Sequence, residues 1–139
     1  MQDREKVCHG LVVTTITMVL KTGIDIIEIP RIQAALDHHG DRFLQRVFTP
    51  AEIAECRGRA DALAVRFAAK EAATKALGTG IGPVSWREVE TLHKRSGEPY
   101  LVLHGRAEQV AKFLGLTTWA VSLSHSRDNA IAVVVATGD

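Results

Sequence analysis

The run Arg66-Phe67-Ala68-Ala69-Lys70-Glu71-Ala72-Ala73-Thr74-Lys75-Ala76-Leu77-Gly78-Thr79-Gly80 carries the groups best placed to do chemistry. Alanine at this density forms helix readily, and Gly78 just past Leu77 supplies a left-handed stop. Glu71 and Lys75 lie four apart and share one face. An acid, a base and a glycine-rich exit on one surface could hold a metal and a phosphate. As an ordinary exposed pair they would contribute only about 0.3–0.5 kcal/mol. Ala68, Ala72 and Ala76 form a smooth stripe that lets another backbone or a ligand come close.

A second acid, Asp25, lies in the apolar run Gly23-Ile24-Asp25-Ile26-Ile27-Glu28-Ile29. Strand alternation sets Asp25, Ile27 and Ile29 on one face and Ile24, Ile26 and Glu28 on the other. A carboxylate among isoleucines is costly to bury unless a cation or hydrogen bonds receive it. The plainer alternative is an acid at a strand end, facing water or capping a turn.

The elements that must position these acids follow from local signals. A long strand or bent pair is expected over Val12 to Ile29. Pro30 suits the first turn of a helix, with Ile32, Ala35 and Leu36 as its apolar stripe and Gly40 as its stop. Asp41 can cap a second short helix carrying Phe43, Leu44 and Val47. Thr49-Pro50-Ala51-Glu52 combines a capping box with proline at the first helical position. Asp61 is the expected cap of the long helix ending at Gly78. Val84 to His93 reads as a strand, and Ser96-Gly97-Glu98-Pro99 as the turn into Tyr100-Leu101-Val102-Leu103. Ala107, Val110, Ala111 and Leu114 mark a helix stopped by Gly115. Trp119 to Ser124 and Ala130 to Ala136 are strands joined through Arg127-Asp128-Asn129. Helices clustered after the first strand, then mostly strands, predict an α+β fold with an antiparallel sheet and a long central helix.

Length and charge narrow the classes. The 139 residues suit one domain, 1–139, with about 1–10 as a frayed, charged extension. A net charge of +1 implies no polyanion-binding tail, so recognition must come from local patches. Cys8 and Cys56 have no metal-ligand spacing and are expected as free thiols in a reducing, cytoplasmic setting. The apolar run Leu11 to Leu20 is too short to span a bilayer. Asp3 and Glu5 and the lack of a small-residue cleavage site speak against a signal peptide.

Taken in order, several segments resemble the holo-(acyl-carrier-protein) synthases, the small trimeric class of 4'-phosphopantetheinyl transferases. They are Gly23-Ile24-Asp25-Ile26 with Arg31-Ile32, Arg42-Phe43, Phe48-Thr49-Pro50-Ala51-Glu52, the run Arg66 to Gly80, and Ser122-Leu123-Ser124-His125-Ser126. The resemblance covers nearly everything from Gly23 to Ala136. It implies transfer of phosphopantetheine from coenzyme A to a serine of apo acyl carrier protein, with release of adenosine 3',5'-bisphosphate. It also implies a compact homotrimer with active sites between protomers, and no nucleic-acid or membrane partner.

The resemblance assigns roles residue by residue. Mg²⁺ prefers oxygen ligands and takes one or two carboxylates plus substrate phosphates; Asp25 and Glu71 match the metal ligands. Lys75 can neutralise phosphate charge. The negative end of the helix dipole at Leu77 is unfavourable for a phosphate, so Lys75 and the amides of Gly78, Thr79 and Gly80 are expected to compensate. The serine proton could go to Glu71 or to a water on the metal held by Asp25. Arg66, Thr74, Gly78, Gly97, Pro99, His125 and Ser126 match coenzyme A contacts, His125 and Ser126 reaching in from the neighbouring protomer. Glu98 departs from a commonly basic position. Arg31, Arg42 and Arg46 are the expected surface for the acidic carrier, interrupted by Asp37 and Asp41. The competing classes are a non-catalytic carrier-docking relative and another Mg²⁺- and nucleotide-dependent enzyme. No Walker-type Gly-Lys-Ser/Thr sequence is present to support a P-loop enzyme.

Overall fold

Alternation around Asp25 does produce a strand, and the elements that follow fold back to cover one of its faces. A computed structural model describes residues 4–8, 11–15 and 18–139. Strands β1 (Arg4–Cys8) and β2 (Leu11–Thr15) pair as an antiparallel hairpin, where a frayed extension was expected through residue 10. The rest of that extension and the Cys8 thiol lie outside the described residues. Strand β3 (Val19–Glu28) is separate from β2, so the expected span Val12 to Ile29 holds two strands.

Four helices come next: α1 (Ile29–His39), α2 (Asp41–Val47), α3 (Pro50–Cys56) and α4 (Ala60–Leu77). Thr49 and Glu52 form the capping box at α3, and Gly78 (φ 78°) ends α4 in the left-handed region. Two caps differ from expectation. Gly40 serves both as the end of α1 and as the N-cap of α2, so Asp41 falls inside the first turn. Arg59 is the N-cap of α4, and the Asp61 carboxylate accepts from the Ala62 amide at 2.7 Å. Both acids still sit where the helix dipole favours negative charge.

The remaining elements are β4 (Val89–His93), β5 (Pro99–Leu103), α5 (Gly105–Phe113), β6 (Thr118–His125) and β7 (Asn129–Gly138). The strand expected from Val84 starts only at Val89. Ser85 and Glu88 form a capping box that winds Trp86–Glu88 into a single 3-10 turn. Strand order in the main antiparallel sheet is β3-β7-β6, and β4 and β5 form their own hairpin. The fold is α+β.

Helix α4 is packed against that sheet along its alanine stripe. Ala68, Ala69, Ala72, Ala73 and Ala76 are buried in one core with Ala130, Ala132, Val134 and Ala136 of β7. Small residues on both sides bring the layers close, and closest at Gly23. A Cβ there would stand 1.8 Å from the Ala72 carbonyl oxygen. The opposite sheet face is uncovered in the single chain: Leu20, Ile24 and Ile26 are more than half exposed.

A buried polar network that sequence reading missed ties α3, α4 and β4 together. Lys70 and Glu52 are fully buried and pair at 2.7 Å. Lys70 also donates to the Trp86 and Val89 carbonyls, and Glu52 accepts from the Thr91 amide. Thr49 links the pair onward by donating its hydroxyl to Glu90, which in turn meets His104. Cys56 is a free, buried thiol whose pKa burial pushes up to about 11.

Candidate active site

The close approach of β3 and α4 brings three of the expected residues together. Asp25 lies on the face of β3 turned to α4, and Lys75 lies near the end of α4. Lys75 Nζ donates to Asp25 Oδ1 at 3.2 Å and to the Ile24 carbonyl at 2.9 Å. Glu71, one turn before Lys75, is half-buried. Its pKa is raised, first by burial and then by the negative charge of Asp25, while Lys75 pulls it down. Asp25 and Lys75 line a small cavity of about 330 Å³ with Ile24, Ile26 and Ile131.

Two neighbouring carboxylates, Asp25 paired with the Lys75 ammonium and Glu71 within its field, form an acidic, all-oxygen donor set for a cation. That set fits Mg²⁺, which keeps several waters and takes few protein ligands. Thr74 is buried, and its hydroxyl donates to the Glu71 carbonyl at 3.0 Å, bracing the turn that bears the acid.

The glycine-rich exit differs from expectation. The amides of Gly78, Thr79 and Gly80 donate to the Lys75 and Thr74 carbonyls at 3.1–3.2 Å. Those carbonyls are the orphan acceptors of a helix C-terminus, and satisfying them uses the amides up. Lys75 is left as the cation at that end of the helix.

A larger cleft, about 900 Å³, lies elsewhere and joins Arg66 to His125. Arg66 is only 4% exposed. Its Nε donates to the Thr91 carbonyl at 3.3 Å and its Nη1 to the Ala62 carbonyl at 3.0 Å. Its Nη2 donates to Glu55 Oε1 at 2.7 Å and to His93 Nδ1 at 2.9 Å. All three guanidinium nitrogens are thus engaged within the chain, and the acid that pairs with them stands on α3. Arg57 and Arg59 line the same cleft and are exposed. Sequence reading passed over them, although Arg57-Gly58-Arg59 between two helices was a visible basic cluster.

The other expected residues are more dispersed. His125 and Ser126 are exposed at the end of β6. Gly97 (φ 89°) shapes the β4–β5 turn, and Pro99 opens β5 opposite His93. Neither lines the two cavities described. Glu98 pairs with Lys94 at 3.3 Å, which offsets its charge locally. Arg31, Arg42 and Arg46 are exposed on α1 and α2.

The chain as a whole has counterparts among known proteins. A family model described as the 4'-phosphopantetheinyl transferase superfamily matches residues 21–134, and the chain belongs to that superfamily. It is an enzyme, a phosphopantetheinyl transferase.

Its relatives narrow the class. The holo-(acyl-carrier-protein) synthase of Herpetosiphon aurantiacus is 51% identical over 127 residues, covering 86% of this chain and 100% of the relative. That of Dehalococcoides mccartyi strain ATCC BAA-2266 is 52% identical over 118 residues, covering 85% and 98%. Among solved structures, the Neisseria meningitidis enzyme of that name superposes with a TM-score of 0.76 at 36% identity, covering 84% of this chain and 96% of its own. The Helicobacter pylori enzyme, solved in complex with coenzyme A, has a TM-score of 0.76 at 33% identity, covering 83% and 98%.

Proposed function

We propose that the chain moves 4'-phosphopantetheine from coenzyme A to a serine of apo acyl carrier protein, releasing adenosine 3',5'-bisphosphate in a Mg²⁺-dependent reaction. The observation that carries this reading is the convergence of Asp25, Glu71 and Lys75 at the Gly23 contact. Asp25 and Glu71 would hold the metal. Bound there, Mg²⁺ supplies charge neutralisation at the phosphate under attack. Lys75, free to move because its side chain is 53% exposed, places a positive charge where the dipole of α4 is adverse. Thr74 and Gly78 set the end of that helix, while Gly97 and Pro99 shape the β4–β5 turn.

In the second cleft, Arg66 keeps the wall in shape through Glu55 and His93, and His125, followed in the chain by Ser126, lines it. The uncovered sheet face bearing Leu20, Ile24, Ile26, Val133 and Val135 supports self-association. A homotrimer with sites between protomers would bury it and bring His125 of one copy to the site of another. Arg31, Arg42 and Arg46 offer an exposed basic surface for an acidic carrier. We place the enzyme in the cytoplasm, as one domain serving fatty acid or polyketide synthesis.

The deciding measurement is mass spectrometry of apo carrier protein incubated with coenzyme A, Mg²⁺ and the enzyme. The carrier should gain one phosphopantetheine. Asp25→Ala and Glu71→Ala should each lower the rate at least ~10²-fold with the fold intact. A carrier of unchanged mass, or near-normal turnover by either variant, would sink the reading.

A further inference from the structure

The carboxylate proposed as a metal ligand already carries a cation. Lys75 Nζ contacts Asp25 Oδ1 at 3.2 Å and donates a second bond to the Ile24 carbonyl at 2.9 Å. Mg²⁺ binds oxygen at about 2.0–2.1 Å, so a dication on either oxygen of Asp25 lies within a few ångströms of the ammonium. Charge counting points the same way. Asp25, Glu71 and Lys75 together carry one net negative charge. A dication added to them leaves the site positive, whereas a dication on the two carboxylates alone is balanced.

The partners also differ in freedom. The Lys75 side chain is 53% exposed and that of Asp25 18%, so Lys75 can swing its head into solvent while Asp25 stays on its strand. An anion arriving at the end of α4 gives the displaced ammonium somewhere to go.

The geometry points to Lys75 as an internal competitor for the metal's carboxylate, which a phosphate of coenzyme A draws away. Metal and coenzyme A then bind with positive coupling carried by this one side chain, and the coupling is reciprocal. The inference rests on the metal reading above and adds to it a second role for Lys75, opposite in sign to its help with the phosphate.

Mn²⁺, another cation suited to carboxylate and water ligands, serves as the probe. Its binding to the full chain is followed by electron paramagnetic resonance, with and without coenzyme A, against protein-free blanks. Lys75→Gln should bind Mn²⁺ about three- to tenfold more tightly than wild type when coenzyme A is absent. Coenzyme A should tighten Mn²⁺ binding more in wild type than in Lys75→Gln. Lys21→Gln removes the same charge from the same strand about 13 Å from Asp25, beyond the screening length of about 8 Å at physiological ionic strength, and should leave the constant unchanged.

Mn²⁺ binding that Asp25→Asn abolishes but Lys75→Gln leaves unchanged would overturn the competition and leave the metal site standing. An equal gain in Lys75→Gln and Lys21→Gln would overturn it too, as an effect of net charge alone. No Mn²⁺ binding by wild type under either condition, or binding indifferent to Asp25→Asn, would remove the metal reading and this inference with it.

Discussion

Gly23→Ala tests the contact on which the whole site depends. The added methyl would stand 1.8 Å from the Ala72 carbonyl oxygen, 2.7 Å from its carbon and 3.1 Å from the Ala76 nitrogen. No rotamer change relieves this, because every obstacle is backbone. Carbon contacts below about 3.0–3.4 Å are not tolerated in packed interiors, so β3 and α4 must part by roughly 1.2–1.6 Å. Overpacking usually costs about 1–3 kcal/mol, and a backbone obstacle belongs at the upper end. For a domain of this size about 3 kcal/mol lowers the melting temperature by roughly 10 °C. Asp25 is two residues from Gly23, and Glu71 directly precedes Ala72. The same shift therefore separates the acids, and a misplacement of about 1 Å can cost ~10²-fold in rate. Thermal unfolding at fixed protein concentration and carrier modification would be read together. Lys21→Ala, two residues away and exposed, should stay within about 0.5 kcal/mol of wild type. A Gly23→Ala enzyme with unchanged melting and a kcat/KM within about twofold of wild type would refute the argument.

Three further outcomes follow from named groups. Lys70→Met strands the Glu52 carboxylate in the interior and should cost about 3–5 kcal/mol in urea unfolding, whereas a loss under about 1 kcal/mol would mean the pair is not enclosed. Burial and Asp25 raise the pKa of Glu71 above its ordinary 4.5, so the folded chain holds this proton more tightly and stability from this group falls as pH rises past that value. Glu71→Gln in chelator should therefore melt higher than wild type at pH 7 and match it at strongly acidic pH, despite losing activity; a lower melting point at pH 7 contradicts the sign. Arg31→Glu should raise the Michaelis constant for carrier at least about tenfold and leave that for coenzyme A nearly unchanged, and an unchanged carrier constant would place docking elsewhere.

How far the sequence could be read depended on the reach of each signal. The capping box at Thr49 and Glu52, Pro30 in the first turn of α1 and Gly78 after α4 each act within a few residues, and each stands where expected. Asp41 and Asp61 were misplaced by one or two positions because capping depends on backbone angles that residue type only biases. Ion pairs across the fold left no local trace. Glu52 and Lys70 are 18 residues apart and Asp25 and Lys75 are 50 apart. Arg66 shows what a role assigned by position leaves out. A motif can assign it to a nucleotide, but only the fold shows its donors engaged by Thr91, Ala62, Glu55 and His93.

The alanine stripe shows how a correct local reading can stay incomplete. Ala68, Ala72 and Ala76 implied that some backbone could come near, without saying which one. The answer is β3, and it requires Gly23 as well as the alanines. Glycine on one side and alanine on the other leave little bulk to hold the layers apart, and this brings an acid on the strand beside an acid on the helix. A larger residue on either surface would leave both carboxylates in place in the sequence and out of reach in space. The site is therefore specified as much by the residues that are small as by those that are charged.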